Sequence, residues 1–115
     1  MTLPEKQKTD DKLFGQVNRI VDMVEYQAGS VVSRTIIDQK SGTVTLFAFD
    51  EGQGLAEHSA PFNAMVYVMD GKVRVIISGK PFELNAGDMI IMPANQPHAL
   101  QAISRFKMML IMIRA

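Results

Sequence analysis

The chain of 115 residues is short enough to form one domain and long enough to bury a hydrophobic core. Its 12 basic residues cancel its 12 acidic ones, and a chain without net charge lacks the basic surface that nucleic acids and anionic membranes attract. Cysteine is absent, which excludes a disulfide framework and a thiolate metal site and fits a reducing compartment, so we predict a cytoplasmic protein.

The N-terminal residues 1–15 are polar and charged without a sustained period, which predicts a flexible arm. They contain no apolar stretch like that of a signal peptide, and no later apolar run approaches the roughly 20 residues of a membrane helix. We therefore expect no membrane partner. Residues 16–115 are assigned to a single domain, and residues 10–24 have room for one short helical turn.

The rest of the chain alternates short β-like runs with clusters of Gly, Pro, Asn and Asp, which end strands and turn the chain. Strands of this length with frequent turn signals indicate an all-β sandwich or barrel. Asp70-Gly71 and Ser78-Gly79, each between β-branched runs, predict hairpins. The predicted strands are Ile20–Tyr26, Ser30–Asp38, Thr43–Asp50, Leu55–His58, Ala64–Asp70, Val73–Ser78, Phe82–Asn85, Asp88–Met92, His98–Ala102 and Phe106–Arg114.

Three of these runs, 64–69, 89–92 and 108–113, are apolar at every position rather than at alternate positions. A strand that is covered on both faces lies inside a sandwich or at a subunit interface. The last run predicts a homodimer, because it would otherwise favour aggregation. The nine methionines either fill the core or line a soft, apolar pocket.

The two histidines of the chain, His58 and His98, each follow a turn cluster by a few residues. The segment from Gly54 to Gly71 resembles the first cupin motif, and the segment from Gly87 to Ala102 resembles the second. The resemblance implies a double-stranded β-helix, which is a jelly-roll barrel of two packed antiparallel sheets.

Cupins commonly hold a divalent metal with three residues of the first motif and one of the second. At those positions this chain has His58, Ala60, Ala64 and His98. Protein-bound divalent ions usually need three or four ligands, or two and a chelating substrate. The histidine pair is therefore either a metal-free remnant or a weak site for Fe, Mn, Ni or Zn that water or substrate completes.

Strand alternation predicts which side chains share the interior with the histidines. If His58 points inward, Glu57 and Tyr67 point outward, and the alanines at two ligand positions leave space inside the barrel. The interior is then mostly apolar, as small-molecule sites tend to be. The predicted pocket consists of His58, Ala60, Ala64, Val66, Val68, His98 and Leu100.

The favoured function is the binding of a small molecule in this pocket. A metal-dependent enzyme of the dioxygenase, isomerase or decarboxylase type is the alternative that the resemblance implies. A metal-free enzyme would use a histidine as its general base and a tyrosine, Tyr26 or Tyr67, as its acid. A purely structural role as a dimer is the fourth hypothesis, because one fold hosts many functions.

Overall fold

The computed structural model of the protein describes residues 9–115, and β-strands make up most of this part of the chain. Two short 3₁₀ helices, Asp11–Leu13 and Ile20–Asp22, precede the strands. The strands are β1 (Val31–Gln39), β2 (Gly42–Phe49), β3 (Gly54–His58), β4 (Phe62–Asp70), β5 (Lys72–Ile77), β6 (Lys80–Asn85), β7 (Met89–Met92), β8 (His98–Ala102) and β9 (Phe106–Arg114).

The strands form two antiparallel sheets that enclose one core. The five-stranded sheet has the order β1-β2-β9-β4-β7, and the four-stranded sheet has the order β3-β8-β5-β6. Successive strands frequently lie in different sheets, so the chain winds around the core as a jelly roll. This arrangement confirms the predicted double-stranded β-helix.

Nine of the ten predicted strands coincide with β1–β9 to within two residues at each end. The exception is Ile20–Tyr26, for which the strand prediction was wrong. This segment instead begins with the second 3₁₀ helix, and its amide groups bond locally, as in the bond from Met23 N to Ile20 O. Its apolar side chains cover the outer face of the five-stranded sheet, where Val24 is buried against Leu46 and Ala48 of β2.

The two predicted hairpins have different outcomes. Ser78-Gly79 joins the paired strands β5 and β6, with φ of 49° and 82° at the two turn residues. Asp70-Gly71 is not a hairpin, because β4 and β5 lie in different sheets and Gly71 carries the chain between them. Gly71 has a φ of 80°, and a Cβ there would overlap the carbonyl oxygen of Arg105. A turn dipeptide indicates a reversal of the chain but not which sheet the next strand joins.

The core between the sheets consists of side chains that alternate along the strands. Phe49 and Phe106 stack at its centre with ring centroids 4.5 Å apart, and both are fully buried. On β4 the inward series is Phe62, Ala64, Val66 and Val68, and the intervening residues face outward. The strict period of two on β4 determines which of its side chains reach the barrel interior.

The described end of the N-terminal region contacts β1. The Thr9 hydroxyl accepts a hydrogen bond from Asp38 N at 3.0 Å, and the Asp10 carboxylate pairs with Arg34 at 3.4 Å. Most of the predicted flexible arm, residues 1–8, lies outside the described residues, and its flexibility stays a prediction. In the described range, no helix combines the length and the apolar character needed to cross a membrane.

One row of apolar side chains crosses the outer face of the five-stranded sheet beside the part that residues 20–26 cover. Its members pair in register from strand to strand, and none of them carries a charge. Ile91 is 54% exposed at one end and Ile37 is 39% exposed at the other. The row, which we call the apolar row, consists of Ile37, Val44, Ile111, Met65 and Ile91.

Candidate functional site

A cavity between the two sheets contains both histidines. The volume that the centres of water molecules can occupy in it is about 40 Å³, which is room for roughly three waters. His58 is exposed at its rim and His98 is 7% exposed beside it. The lining residues are Leu55, His58, Ala60, Phe62, Ala64, Met92, His98, Leu100, Met108, Leu110 and Met112.

An irregularity in β3 shapes one wall of the cavity. Leu55 pairs with Leu100 of β8, and the next pair is His58 with His98. Between these two pairs β3 has two residues and β8 has one. Without the irregularity, residues 55 and 58 would point to opposite faces. With it, both side chains face the cavity.

The imidazole rings of His58 and His98 lie against each other. Their centroids are 4.5 Å apart and their planes meet at 67°, which is an edge-to-face arrangement. The register pair between β3 and β8 causes this contact, because directly opposed residues on one face of a sheet have adjacent side chains. Two distant turn clusters of the sequence are thereby joined at one site.

Hydrogen bonds to the backbone orient both rings. His58 Nδ1 lies 2.9 Å from Ala56 O, and His98 Nδ1 lies 3.2 Å from Gln96 O. A carbonyl oxygen can only accept a hydrogen bond, so each Nδ1 carries the proton and donates. In the neutral rings the lone pair is therefore on Nε2. Each Nε2 is available to accept a hydrogen bond or to bind a metal.

The pKa of His98 is lower than that of an ordinary histidine. Burial is the main cause, because it disfavours the charged imidazolium, and the nearby His58 lowers the pKa further. The hydrogen bond to Gln96 O acts in the opposite direction without reversing the shift. The shift favours the neutral form of His98, in which Nε2 is an acceptor.

This pKa shift predicts a pH dependence of stability. A histidine whose pKa is lowered by folding stabilises the protein above the unfolded-state pKa near 6.5, and that stability is lost as the pH falls through the folded-state pKa. The free energy of unfolding should fall between pH 7 and pH 5, by at most about 1.4 kcal/mol per pH unit for this one group. Urea denaturation of metal-free protein at pH 7.5, 6.5 and 5.5 measures the slope.

A His98→Gln variant serves as the comparison, because glutamine keeps a donor but does not titrate in this range. Its slope should be clearly smaller, and an equal slope in both proteins would contradict the assignment. Asp50 does not interfere. Bonds from Gly29 N–H, Arg105 and Glu51 N–H lower its pKa to about 2, so the stability it contributes is lost only as the pH falls from about 4 towards 2.

The structure brings five of the seven predicted pocket residues to the cavity: His58, Ala60, Ala64, His98 and Leu100. Val66 and Val68 also face the interior, but both are fully buried in the core and do not line the cavity. They lie two and four residues beyond Ala64 along β4, where side chains from both sheets fill the space.

Sequence reasoning missed six residues of the lining. Phe62 belongs to the same alternating series as Ala64, and this signal could have identified it. Leu55 became visible only with the irregularity in β3. Leu110 and the three methionines come from runs that are apolar at every position, and such runs do not reveal which residues face inward. The three methionines are Met92, Met108 and Met112.

The residues present do not fit the divalent metal that the resemblance implies. His58 and His98 provide two nitrogen donors, and the described part of the chain contributes no carboxylate to the cavity lining. Across residues 9–115, no group of three or more His, Cys, Asp or Glu side chains is placed to hold a metal ion. Tight sites for Zn²⁺ or Fe²⁺ need at least one further donor of this kind.

Neither tyrosine lies in the cavity. Tyr67 faces outward from β4 and is 36% exposed. The Tyr26 hydroxyl donates to Asp70 at 2.6 Å, and burial together with this carboxylate raises the pKa of Tyr26. A general acid must reach the reacting group within hydrogen-bond distance, directly or through one water. The positions of Tyr26 and Tyr67 therefore count against an enzyme that pairs a histidine base with a tyrosine acid.

The fold and the site define a class of small all-β barrel protein with a histidine pair above an apolar interior. Residues 45–114 match the family model described as a cupin domain, so the chain belongs to the cupin family. No curated protein matches the chain.

Solved structures similar to this chain include a conserved protein of unknown function from Streptococcus pyogenes. It is 31% identical, with a TM-score of 0.84 over 88% of this chain and 89% of that one. A cupin 2 conserved barrel domain protein from Leptotrichia buccalis is 37% identical, with a TM-score of 0.80. That match covers 82% of this chain and 46% of the other, so this chain spans about half of it.

Salicylate 1,2-dioxygenase from Pseudaminobacter salicylatoxidans is also similar in structure, with a TM-score of 0.69. The identity is 18%, and the match covers 75% of this chain and 27% of that protein. At this identity the similarity shows a shared fold alone.

Proposed function

We propose that this cupin binds a small, mostly apolar molecule that carries a hydroxyl group. The observation that supports this most directly is the pair of imidazoles at the rim of an apolar cavity, each with its Nδ1 bonded to a backbone carbonyl. Each ring donates a hydrogen bond from its Nδ1–H to a backbone carbonyl, which leaves Nε2 to accept a hydrogen bond from a ligand O–H. The other lining side chains offer apolar contact.

The size of the cavity limits the ligand. Space for roughly three waters suits a ligand of a few heavy atoms, or part of a larger one that extends past the exposed His58. Three methionines in the lining can change rotamer at low cost, so the cavity can adapt to a somewhat larger group. A carboxylate suits the site less well, because an Nε2 atom that carries a lone pair cannot donate a hydrogen bond to it.

Phenol and toluene form a matched pair of probes, because they have similar shape and only phenol has a hydroxyl. Phenol at ten times its Kd should stabilise the protein by about 1.4 kcal/mol. Toluene at the same concentration should stabilise it less. Chemical denaturation with and without each compound measures the difference. Equal stabilisation by both compounds would contradict the role of the imidazoles.

An Ala64→Leu variant tests whether the probe occupies the cavity. Ala64 is 5% exposed and lines the cavity, so the larger side chain should fill it and remove the stabilisation by phenol. Met65→Leu is the control, because Met65 is the next residue on β4 and faces outward. Undiminished phenol binding in the Ala64→Leu variant would show that phenol binds elsewhere.

The alternative, a metal-dependent enzyme, has weaker support. The shared fold with salicylate 1,2-dioxygenase allows it, but the described residues give the cavity no third nitrogen or carboxylate donor. A weakly held divalent ion would need ligands from water or substrate. The cytoplasmic location predicted from the sequence stays a prediction.

We further propose that a second copy of the chain covers the apolar row. Homodimer interfaces are more apolar than the rest of a protein surface, and a twofold interface joins the same patch of both subunits. The apolar row crosses all five strands of its sheet, which gives two copies a continuous face on which to pair.

A further inference from the structure

We propose that the cavity is a binding site for monovalent copper, Cu⁺, held by the imidazoles of His58 and His98 and the thioethers of Met92 and Met112. This inference rests on the proposed binding role of the cavity and adds a metal ion as a second ligand of the same two imidazoles. It also explains how a histidine pair with too few donors for a divalent ion can still hold a metal.

The nitrogen donors come from the four-stranded sheet. The rings of His58 and His98 are in contact, at 4.5 Å between centroids, and bonds to Ala56 O and Gln96 O leave both Nε2 atoms free. Because backbone bonds hold both rings in place, little ordering is needed when an ion binds.

The sulfur donors come from the opposite wall. Ala64 pairs in register with Met92 on one side and with Met112 on the other, so these three residues form one row across β7, β4 and β9. Side chains at such opposed positions are neighbours, and the small Ala64 leaves room between the two thioethers. Both methionines line the same cavity as the histidines. Packed sheets lie about 10 Å apart, so donors that extend inward from both sheets can approach one ion.

The chemistry of the lining selects a soft, singly charged ion. Thioethers favour Cu⁺, imidazole also binds copper, and hard ions such as Mg²⁺ and Mn²⁺ prefer carboxylate and carbonyl oxygens. Among residues 9–115, no carboxylate or hydroxyl side chain lines the cavity, and seven of the eleven lining residues are apolar residues other than these four donors. Apolar surroundings penalise a double charge more than a single one, which further favours Cu⁺ over a divalent ion.

The test is anaerobic titration of metal-free, full-length protein with Cu⁺ against the coloured chelator bicinchoninate. We expect one Cu⁺ per chain, and at least a tenfold weaker affinity in a Met92→Leu/Met112→Leu variant. Leucine has a similar volume and no sulfur, so the fold should persist. The control variant Met89→Leu/Met109→Leu alters two methionines that pair with Tyr67 on the outer face and should bind Cu⁺ like the wild type.

X-ray absorption at the copper edge should show both nitrogen and sulfur neighbours in the wild type. Absence of Cu⁺ binding, or binding that is unchanged in the Met92→Leu/Met112→Leu variant, would overturn the copper site. Phenol stabilisation of the wild type separates this from a failure of the proposed function. Phenol binding without Cu⁺ binding overturns copper alone, and loss of both overturns the binding role of the cavity as well.

Discussion

An Ala60→His/Ala64→Glu variant is expected to bind one Zn²⁺ per chain that survives dialysis, whereas the wild type should retain little. Both positions line the cavity with His58 and His98, so the substitutions raise the number of nitrogen and carboxylate donors from two to four. Four such donors match the usual coordination of Zn²⁺ in proteins.

The same variant should depend on metal for its stability. Ala64 is buried, and a carboxylate there without a partner is costly, so the metal-free variant should be less stable than the wild type. Free Zn²⁺ at 1,000 times its Kd should then stabilise it by about 4 kcal/mol. Elemental analysis and thermal denaturation with and without EDTA measure both effects.

Ala60→His/Tyr67→Glu is the control for this experiment. It adds the same two side chains, but Tyr67 is exposed on the opposite face of β4 from Ala64 and lies outside the apolar row. Only the variant with glutamate at 64 should gain the metal. Equal Zn²⁺ retention by the two variants, or none by either, would show that the four positions do not converge as the cavity indicates.

An Ile111→Lys variant is expected to dissociate the proposed homodimer. Ile111 lies on the central strand β9 with Val44 and Met65 as its paired neighbours in the apolar row. A charge without a partner at the centre of an apolar interface should cost at least about 2 kcal/mol, which weakens dimerisation roughly 30-fold or more. Light scattering over a range of protein concentrations measures the shift.

Gln101→Lys is a suitable control for the dimer experiment. Gln101 is exposed on β8 in the other sheet, so a charge there should leave the dimer intact. A wild-type chain that is monomeric at all concentrations would refute the dimer. Dissociation by both lysine variants would place the interface elsewhere than on the apolar row.

Much of the fold was predictable because the signals for strands and turns lie in short stretches of the sequence. β8 and β9 begin and end where the pattern predicts, and the Ser78-Gly79 hairpin needs only local positive φ. The spacing of His58 and His98 allowed them to meet inside the barrel, and the resemblance to cupins strengthened that prediction. The strand prediction for Ile20–Tyr26 was wrong because the same apolar residues that are typical of a strand can also pack as an irregular segment on the outer face of a sheet.

The methionine wall of the cavity could not be predicted. Met92 and Met112 meet at Ala64 because β4 lies between β7 and β9, and sheet order depends on the whole topology. Leu55 reaches the cavity because β3 departs from regular pairing against β8, which the sequence of β3 does not show. Val66 and Val68 were assigned to the pocket because alternation gives the face of a side chain but not whether other side chains fill the space beside it.

The sequence by itself determined the β class and nine of the ten predicted strands, which are properties of local pattern. The resemblance to cupins added the pair of histidines with two alanines at metal-ligand positions. The tertiary structure alone decided the strand register, the free Nε2 atoms, the extent of the cavity and the placement of thioethers opposite the imidazoles. Such features arise from pairing between distant segments, and that pairing depends on the packing of the whole chain.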